Sequence, residues 1–166
     1  MSTPTAFSDI EAVKLAQGME REGRDFYRAA EQAVEDSALK STFAMLAGEE
    51  EKHLETFSDM AGELARAKTE EYWDEPDVDA YIQALVSCKV FPKPDLAEGR
   101  AAGMSTVADA LRFALQCEKD TVLYYSLCAE SASGNEVRAI FCELVAEERK
   151  HVCLMAELLS KAEQDS

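Results

Sequence analysis

Histidine, basic charge and long apolar runs are all scarce in this 166-residue chain, and each shortage excludes something. Lys and Arg number 17 against 33 Asp and Glu, a net charge of −16. That balance argues against nucleic acid and anionic membranes as partners and suits metal cations or a cationic partner. No hydrophobic run approaches the roughly 20 residues needed to span a bilayer. The N-terminal stretch from Met1 to Phe7 lacks the basic region and apolar core of a signal peptide, so the expected location is cytoplasmic. Five cysteines occur, Cys88, Cys117, Cys128, Cys142 and Cys153, and none forms a Cys-x-x-Cys pair. An odd number without paired spacing argues against a disulfide framework, a zinc ribbon and a rubredoxin-type centre. Most are expected as small core residues.

What is present reads as helix almost throughout. The length fits a single domain, 1–166, large enough to bury a sizeable core. After a short tail, Ser8 to Glu11 reads as a capping box. It opens a helix with apolar positions Ile10, Val13, Leu15, Met19, Phe26 and Ala30, ending near Val34. Asp36 and Ser37 supply a turn and an N-cap. A second helix then carries Leu39, Phe43, Leu46, Leu54, Phe57 and Leu64 and fades near Lys68. So short a connection predicts an antiparallel hairpin over 8–68.

Residues 69–104 change character. An acidic, turn-prone approach leads to a short helix expected over Val78 to Val86, and Pro92, Pro94, Gly99 and Gly103 then interrupt regular structure. A segment this long inside a compact domain is expected to cross from one end of a bundle to the other. Ser105 is the expected cap of a third helix running to about Ser133. Gly134 suits the position that ends it, and Asn135 the N-cap of a fourth carrying Val137, Phe141, Leu144, Val152, Met155 and Leu158. The second hairpin spans 105–163. The expected fold is all-α, a four-helix bundle of two hairpins joined by a long crossover.

Both histidines lie in one repeated stretch. It reads Glu49-Glu50-Glu51-Lys52-His53, and again, 98 positions later, Glu147-Glu148-Arg149-Lys150-His151. In a helix, residues three apart share a face, so each Glu-x-x-His brings a carboxylate and an imidazole to one point. The same offset matches Ala16 to Ala114, Glu20 to Glu118, Tyr27 to Tyr125, Phe43 to Phe141 and Leu46 to Leu144. The two hairpins are copies of one unit.

Spacing alone leaves Glu49 and Glu50 as alternatives. Glu50 has Leu46, Leu54, Phe43 and Phe57 along its face, and Glu148 has Leu144, Val152, Phe141 and Met155. Both therefore stand mid-stripe in a core-facing row, whereas Glu49 has Thr42 and Thr56 beside it. On the first and third helices the candidates are Glu20 with Glu118, or Glu22 with Asp120. The repeat favours the first pair, identical in both copies and followed two turns later by Tyr27 and Tyr125, phenols placed to hydrogen-bond a carboxylate that holds a metal. Four carboxylates converging in a core need compensating cations, because a buried unpaired carboxylate costs several kcal/mol. Metal is the expected answer, and oxygen donors with imidazole suit iron or manganese.

The segments Met19 to Tyr27 and Leu46 to His53, with Glu118, Tyr125 and Glu147 to His151, resemble the ferritin-like di-iron carboxylate superfamily, most closely its rubrerythrin-like branch. The resemblance covers both hairpins. It implies a ferritin-like bundle with two iron ions, manganese or zinc being the other ions considered. The implied metal ligands, through which catalysis would run, are Glu20, Glu50, His53, Glu118, Glu148 and His151. Glu50 and Glu148 would bridge, Glu20 with His53 and Glu118 with His151 would each cap one metal, and Tyr27 and Tyr125 would support them. The implied activity is an oxidoreductase using ferrous iron with O2 or H2O2, peroxidase-like or ferroxidase-like, served by a separate electron donor. The alternative is a non-catalytic metal-binding or iron-handling module. Two departures stand out. No rubredoxin domain with four cysteines is present, and Thr121 and Val122 occupy the turn where rubrerythrin has an additional glutamate. The six-ligand set is nearer the bacterioferritin type. Pairing with a second copy as a homodimer is expected.

Overall fold

The structure, a computed structural model, describes residues 7–67, 72–73, 76–87 and 106–164. The described residues form five helices: α1 Asp9–Ala33, α2 Ser37–Ala67, α3 Pro76–Ser87, α4 Val107–Ser131 and α5 Asn135–Gln164. Expectations for residues 1–6, for the approach to α3, for Cys88, and for the interruptions at Pro92, Pro94, Gly99 and Gly103 lie outside the described residues. No described helix is long and apolar enough to cross a membrane.

Each helix starts for a local reason. Glu11 returns its carboxylate to the Ser8 N–H at 3.1 Å, opening α1. Asp36 Oδ1 accepts from the Leu39 N–H at 2.8 Å, so Asp36 is the N-cap and Ser37 is already helical. Pro76 is the first residue of α3, where its missing N–H costs nothing. Three expected boundaries move. Thr106, not Ser105, caps α4, its hydroxyl accepting from the Asp109 N–H at 3.1 Å. The α4 C-cap is Ala132, and Asn135 is the first residue of α5 rather than its cap.

Gly134 also has a different reason for being there. Its φ is not in the left-handed range, but a Cβ on it would stand 3.1 Å from Asp9 Oδ2. Asp9, in the first turn of α1, accepts from the Gly134 N–H at 2.8 Å, the Ser133 N–H at 3.0 Å and the Trp73 indole N–H at 2.8 Å. One buried carboxylate thus ties the α4–α5 turn and Trp73 to the start of α1. Phe7 joins the same end, its N–H donating to Asp79 Oδ1 of α3 at 3.0 Å and its carbonyl accepting from the Trp73 N–H at 2.7 Å.

The helices pack as two antiparallel pairs. In the first, Gln17 bonds Ser58 at 3.1 Å and Arg24 pairs with Glu51 at 3.3 Å, so rising numbers in α1 meet falling numbers in α2. In the second, Tyr125 packs on Phe141 with ring centroids 5.5 Å apart, and Arg112 reaches Glu163 at 2.6 Å. The pairs touch each other through Phe57 on Phe141, at 5.3 Å, and Phe26 on Phe113, also at 5.3 Å. Burial of each such ring contributes on the order of 2 kcal/mol. Two apolar clusters result. One holds Ala12, Phe57, Trp73, Ile82, Tyr124 and Phe141, and the other Phe26, Phe43, Leu46, Leu111 and Met155. A band of buried charge separates them.

Candidate metal centre

Four helices each place one carboxylate in that band: Glu20 from α1, Glu50 from α2, Glu118 from α4 and Glu148 from α5. All four are at most 3% exposed, and His53 and His151 are 4% exposed. Ligand atoms from Glu20, Glu50, His53 and Glu148 lie within 4.8 Å of one another, and so do those from Glu50, Glu118, Glu148 and His151. The two groups share Glu50 and Glu148. Each keeps the remaining glutamate and histidine of one helix pair. The structure therefore brings together all six residues expected from the sequence, and these buried groups could hold a metal ion. Glu22 and Asp120 stand aside, part-exposed, and Asp120 Oδ1 accepts from the Gln116 amide at 2.9 Å.

The imidazoles turn Nδ1 inward. His53 Nδ1 is 2.9 Å from Glu148 Oε1 and 3.4 Å from Glu20 Oε2. His151 Nδ1 is 3.0 Å from Glu148 Oε2 and 3.7 Å from Glu118 Oε2. The rings stack with centroids 5.9 Å apart and planes 22° from parallel. Their outer nitrogens meet carboxylates of the opposite pair: His53 Nε2 lies 2.8 Å from Glu147 Oε2, and His151 Nε2 lies 2.8 Å from Glu49 Oε2. Glu49, read from the sequence as an edge position, and its repeat partner Glu147 therefore belong to the site's outer layer. Their identity at the 98-residue offset was the available signal.

The tyrosines also cross. The Tyr27 hydroxyl donates to Glu118, and the Tyr125 hydroxyl donates to Glu20. Neither bonds the glutamate of its own helix. Tyr124 is a further buried phenol that the sequence did not single out, and its hydroxyl donates to the Ala12 carbonyl at 3.0 Å.

Burial disfavours every charge here, and neighbours decide which survive. Burial and the carboxylates of Glu148 and Glu20 push Glu50 well above the carboxylate range. Burial lifts Glu118 to about 8, with His151 offsetting only part. Glu148 goes the other way: burial opposes its charge, yet the His151 ring, hydrogen-bonded to it, and the His53 ring 2.9 Å away hold it down at about 2. Burial would also neutralise the imidazoles, but the carboxylates outweigh it. Glu118 and Glu148 push His151 up to about 11, and Glu148, Glu20 and Glu50 hold His53 well above its ordinary value. Tyr27 and Tyr125 are driven well above the phenol range by burial, then by Glu118 and Glu20 respectively, so both remain donors. Two imidazolium rings thus supply the positive charge that the carboxylates demand.

That compensation is incomplete. Glu20 Oε2, Glu50 Oε1, His53 Nδ1 and Glu148 Oε1 are buried with no hydrogen-bond partner of acceptable geometry, although some stand within ion-pair distance. Orphaned buried polar atoms are rare in native proteins and call for an explanation such as an ion. Four of them converge here, all oxygen or imidazole nitrogen, the donors that divalent iron, manganese and zinc accept.

Of the five cysteines, Cys117 and Cys128 are buried as expected, but Cys142 and Cys153 are exposed on α5. They occupy the outer side of that helix, so the core assignment fails for them.

No protein-family model matches the chain, and no curated protein matches it. Among solved structures, a hypothetical protein from Pyrococcus furiosus superposes with a TM-score of 0.66. The match covers 93% of this chain and 92% of that one, at 21% sequence identity. Likeness at that identity concerns the fold alone.

Proposed function

We propose that this chain is a ferritin-like di-iron carboxylate protein of the rubrerythrin-like kind, its two helix pairs forming a four-helix bundle around a pair of iron ions, and that it acts as an oxidoreductase using ferrous iron with O2 or H2O2. The observation that carries this reading is the buried cluster of four carboxylates and two imidazoles with its four orphaned inward atoms. Four carboxylates bring four negative charges, which two divalent ions balance. Glu20 with His53 and Glu118 with His151 would each hold one ion, and Glu50 and Glu148 would hold both. Bound iron would supply one electron per ion to the oxidant.

The remaining residues hold these donors in place. Glu147 and Glu49 accept from the outer Nε2–H of His53 and His151, which leaves Nδ1 for the metal. Tyr27 and Tyr125 donate to Glu118 and Glu20, holding each carboxylate in one orientation. The apolar clusters on either side cover the band along the bundle in both directions.

Anaerobic addition of ferrous iron should fill about two sites per chain and raise the melting temperature, and His53→Ala should abolish both effects. No uptake, or uptake indifferent to that change, overturns the reading. A non-catalytic iron-handling module is the alternative, and Thr121 favours it. One turn beyond Glu118, its hydroxyl donates to the Cys117 carbonyl at 3.0 Å and adds no carboxylate to the centre. Sustained oxidant consumption with an external reductant separates the two; its absence, with two ions bound, selects the alternative.

A further inference from the structure

Outside the histidine pair, on the side away from the four glutamates, lies a cavity of about 410 Å³. That volume falls within the range of small-molecule sites, roughly 300–1,000 Å³. Its floor is made by His53 and His151 with Glu49 and Glu147, its rim carries Lys52 and Lys150, and Met45 and Leu154 stand at its sides.

Two features mark the lysines. The nearby carboxylates are engaged elsewhere: Glu51 by Arg24 and Arg28, Glu49 by His151, and Glu147 by His53. Among the described residues, neither ammonium has an ion-pair partner of its own. The second feature is the internal repeat. Positions identical at the 98-residue offset fall in the core or in the metal centre, with Lys52 and Lys150 as the pair exposed in both copies. The residue before each differs, Glu51 against Arg149, and the residue after each is the histidine of the centre, His53 or His151. Solubility of a chain already at −16 does not require two cations at matched places on one rim. At physiological ionic strength, charges beyond about 8 Å are largely screened, so the lining decides the local field: Glu49 and Glu147 face the imidazoles, and the two ammoniums are the charged groups left without a partner.

We propose that this cavity binds a small organic anion, a carboxylate with a short apolar body, its charged group between Lys52 and Lys150 and its hydrocarbon against Met45 and Leu154. Met45 is 47% exposed, a large apolar side chain left facing the cavity, and methionine adapts to irregular ligands. The assignment does not depend on the di-iron reading, because the cavity and the lysines belong to the chain itself.

The test uses the full metal-free chain with its methionine methyl groups labelled with carbon-13. The Met45 resonance is identified with Met45→Leu, and hexanoate and inorganic phosphate are titrated separately. Hexanoate should shift the Met45 methyl saturably. The paired change Lys52→Gln with Lys150→Gln should weaken it roughly tenfold or more, the scale of lost charged hydrogen bonds. Arginine at both positions should restore it. Both lysines are exposed, so helicity should be unchanged in every variant. Three outcomes would overturn the proposal: a shift that does not saturate, equal affinity in the glutamine pair, or phosphate binding as tightly as hexanoate.

Discussion

Tyr27 and Tyr125 each sit in one helix pair and bond a carboxylate in the other. Replacing Tyr27 by Phe removes a donor from buried Glu118 and leaves the ring packing on Phe26 and Phe43 intact. Urea unfolding of the metal-free protein should show a loss of about 1–3 kcal/mol, the cost of an unsatisfied buried group. Helical spacing told which residues share a face, so both tyrosines and all six buried ligand candidates were legible. It could not tell how far a long phenol reaches across an interface, and the crossed partners were therefore missed. Glu49 was missed for a related reason: its own helix gives it polar neighbours, and its partner His151 lies on another helix. Glu50→Gln tests a different term. Glu50 is already held neutral in the metal-free chain, so an amide there should leave the melting temperature nearly unchanged while reducing metal uptake, because it cannot supply the carboxylate charge an ion needs. Thiol reactivity tests the cysteine placement. In a Cys88→Ser background, alkylation at neutral pH should label Cys142 and Cys153 and spare Cys117 and Cys128. Burial pushes the Cys128 thiol up to about 12, so almost none of it is thiolate.

At the scale of elements, helix existence and order followed from apolar periodicity, and the caps at Ser8 and Asp36 from local chemistry. The start of α4 moved by one residue because Ser105 and Thr106 are equally good caps by type. Gly134 was expected simply as the residue that ends α4, but its N–H is held by Asp9, 125 residues away. No local pattern encodes such a contact. Asp9→Ala strips partners from the Trp73 indole and two backbone N–H groups together. The expected loss is about 3 kcal/mol in urea unfolding, with Trp73 fluorescence moving to the red. Gly134→Ala should destabilise less, since its methyl group would press on an Asp9 carboxylate already fixed by three bonds.

For the molecule as a whole, the buried cluster of carboxylates and imidazoles and the packing of the two pairs are one feature. Orphaned carboxylates in a core cost stability, and an ion that bound only the folded state would restore it by mass action. The crossed phenols, the shared Glu50 and Glu148, and the histidines capped by the opposite pair mean that neither pair contains a complete group of donors. An ancestor with one hairpin would have had to meet a second copy of itself to assemble this centre. The present chain carries both copies in one polypeptide. Cut between its halves, it should work by complementation, with neither fragment able to serve as a smaller version of the whole.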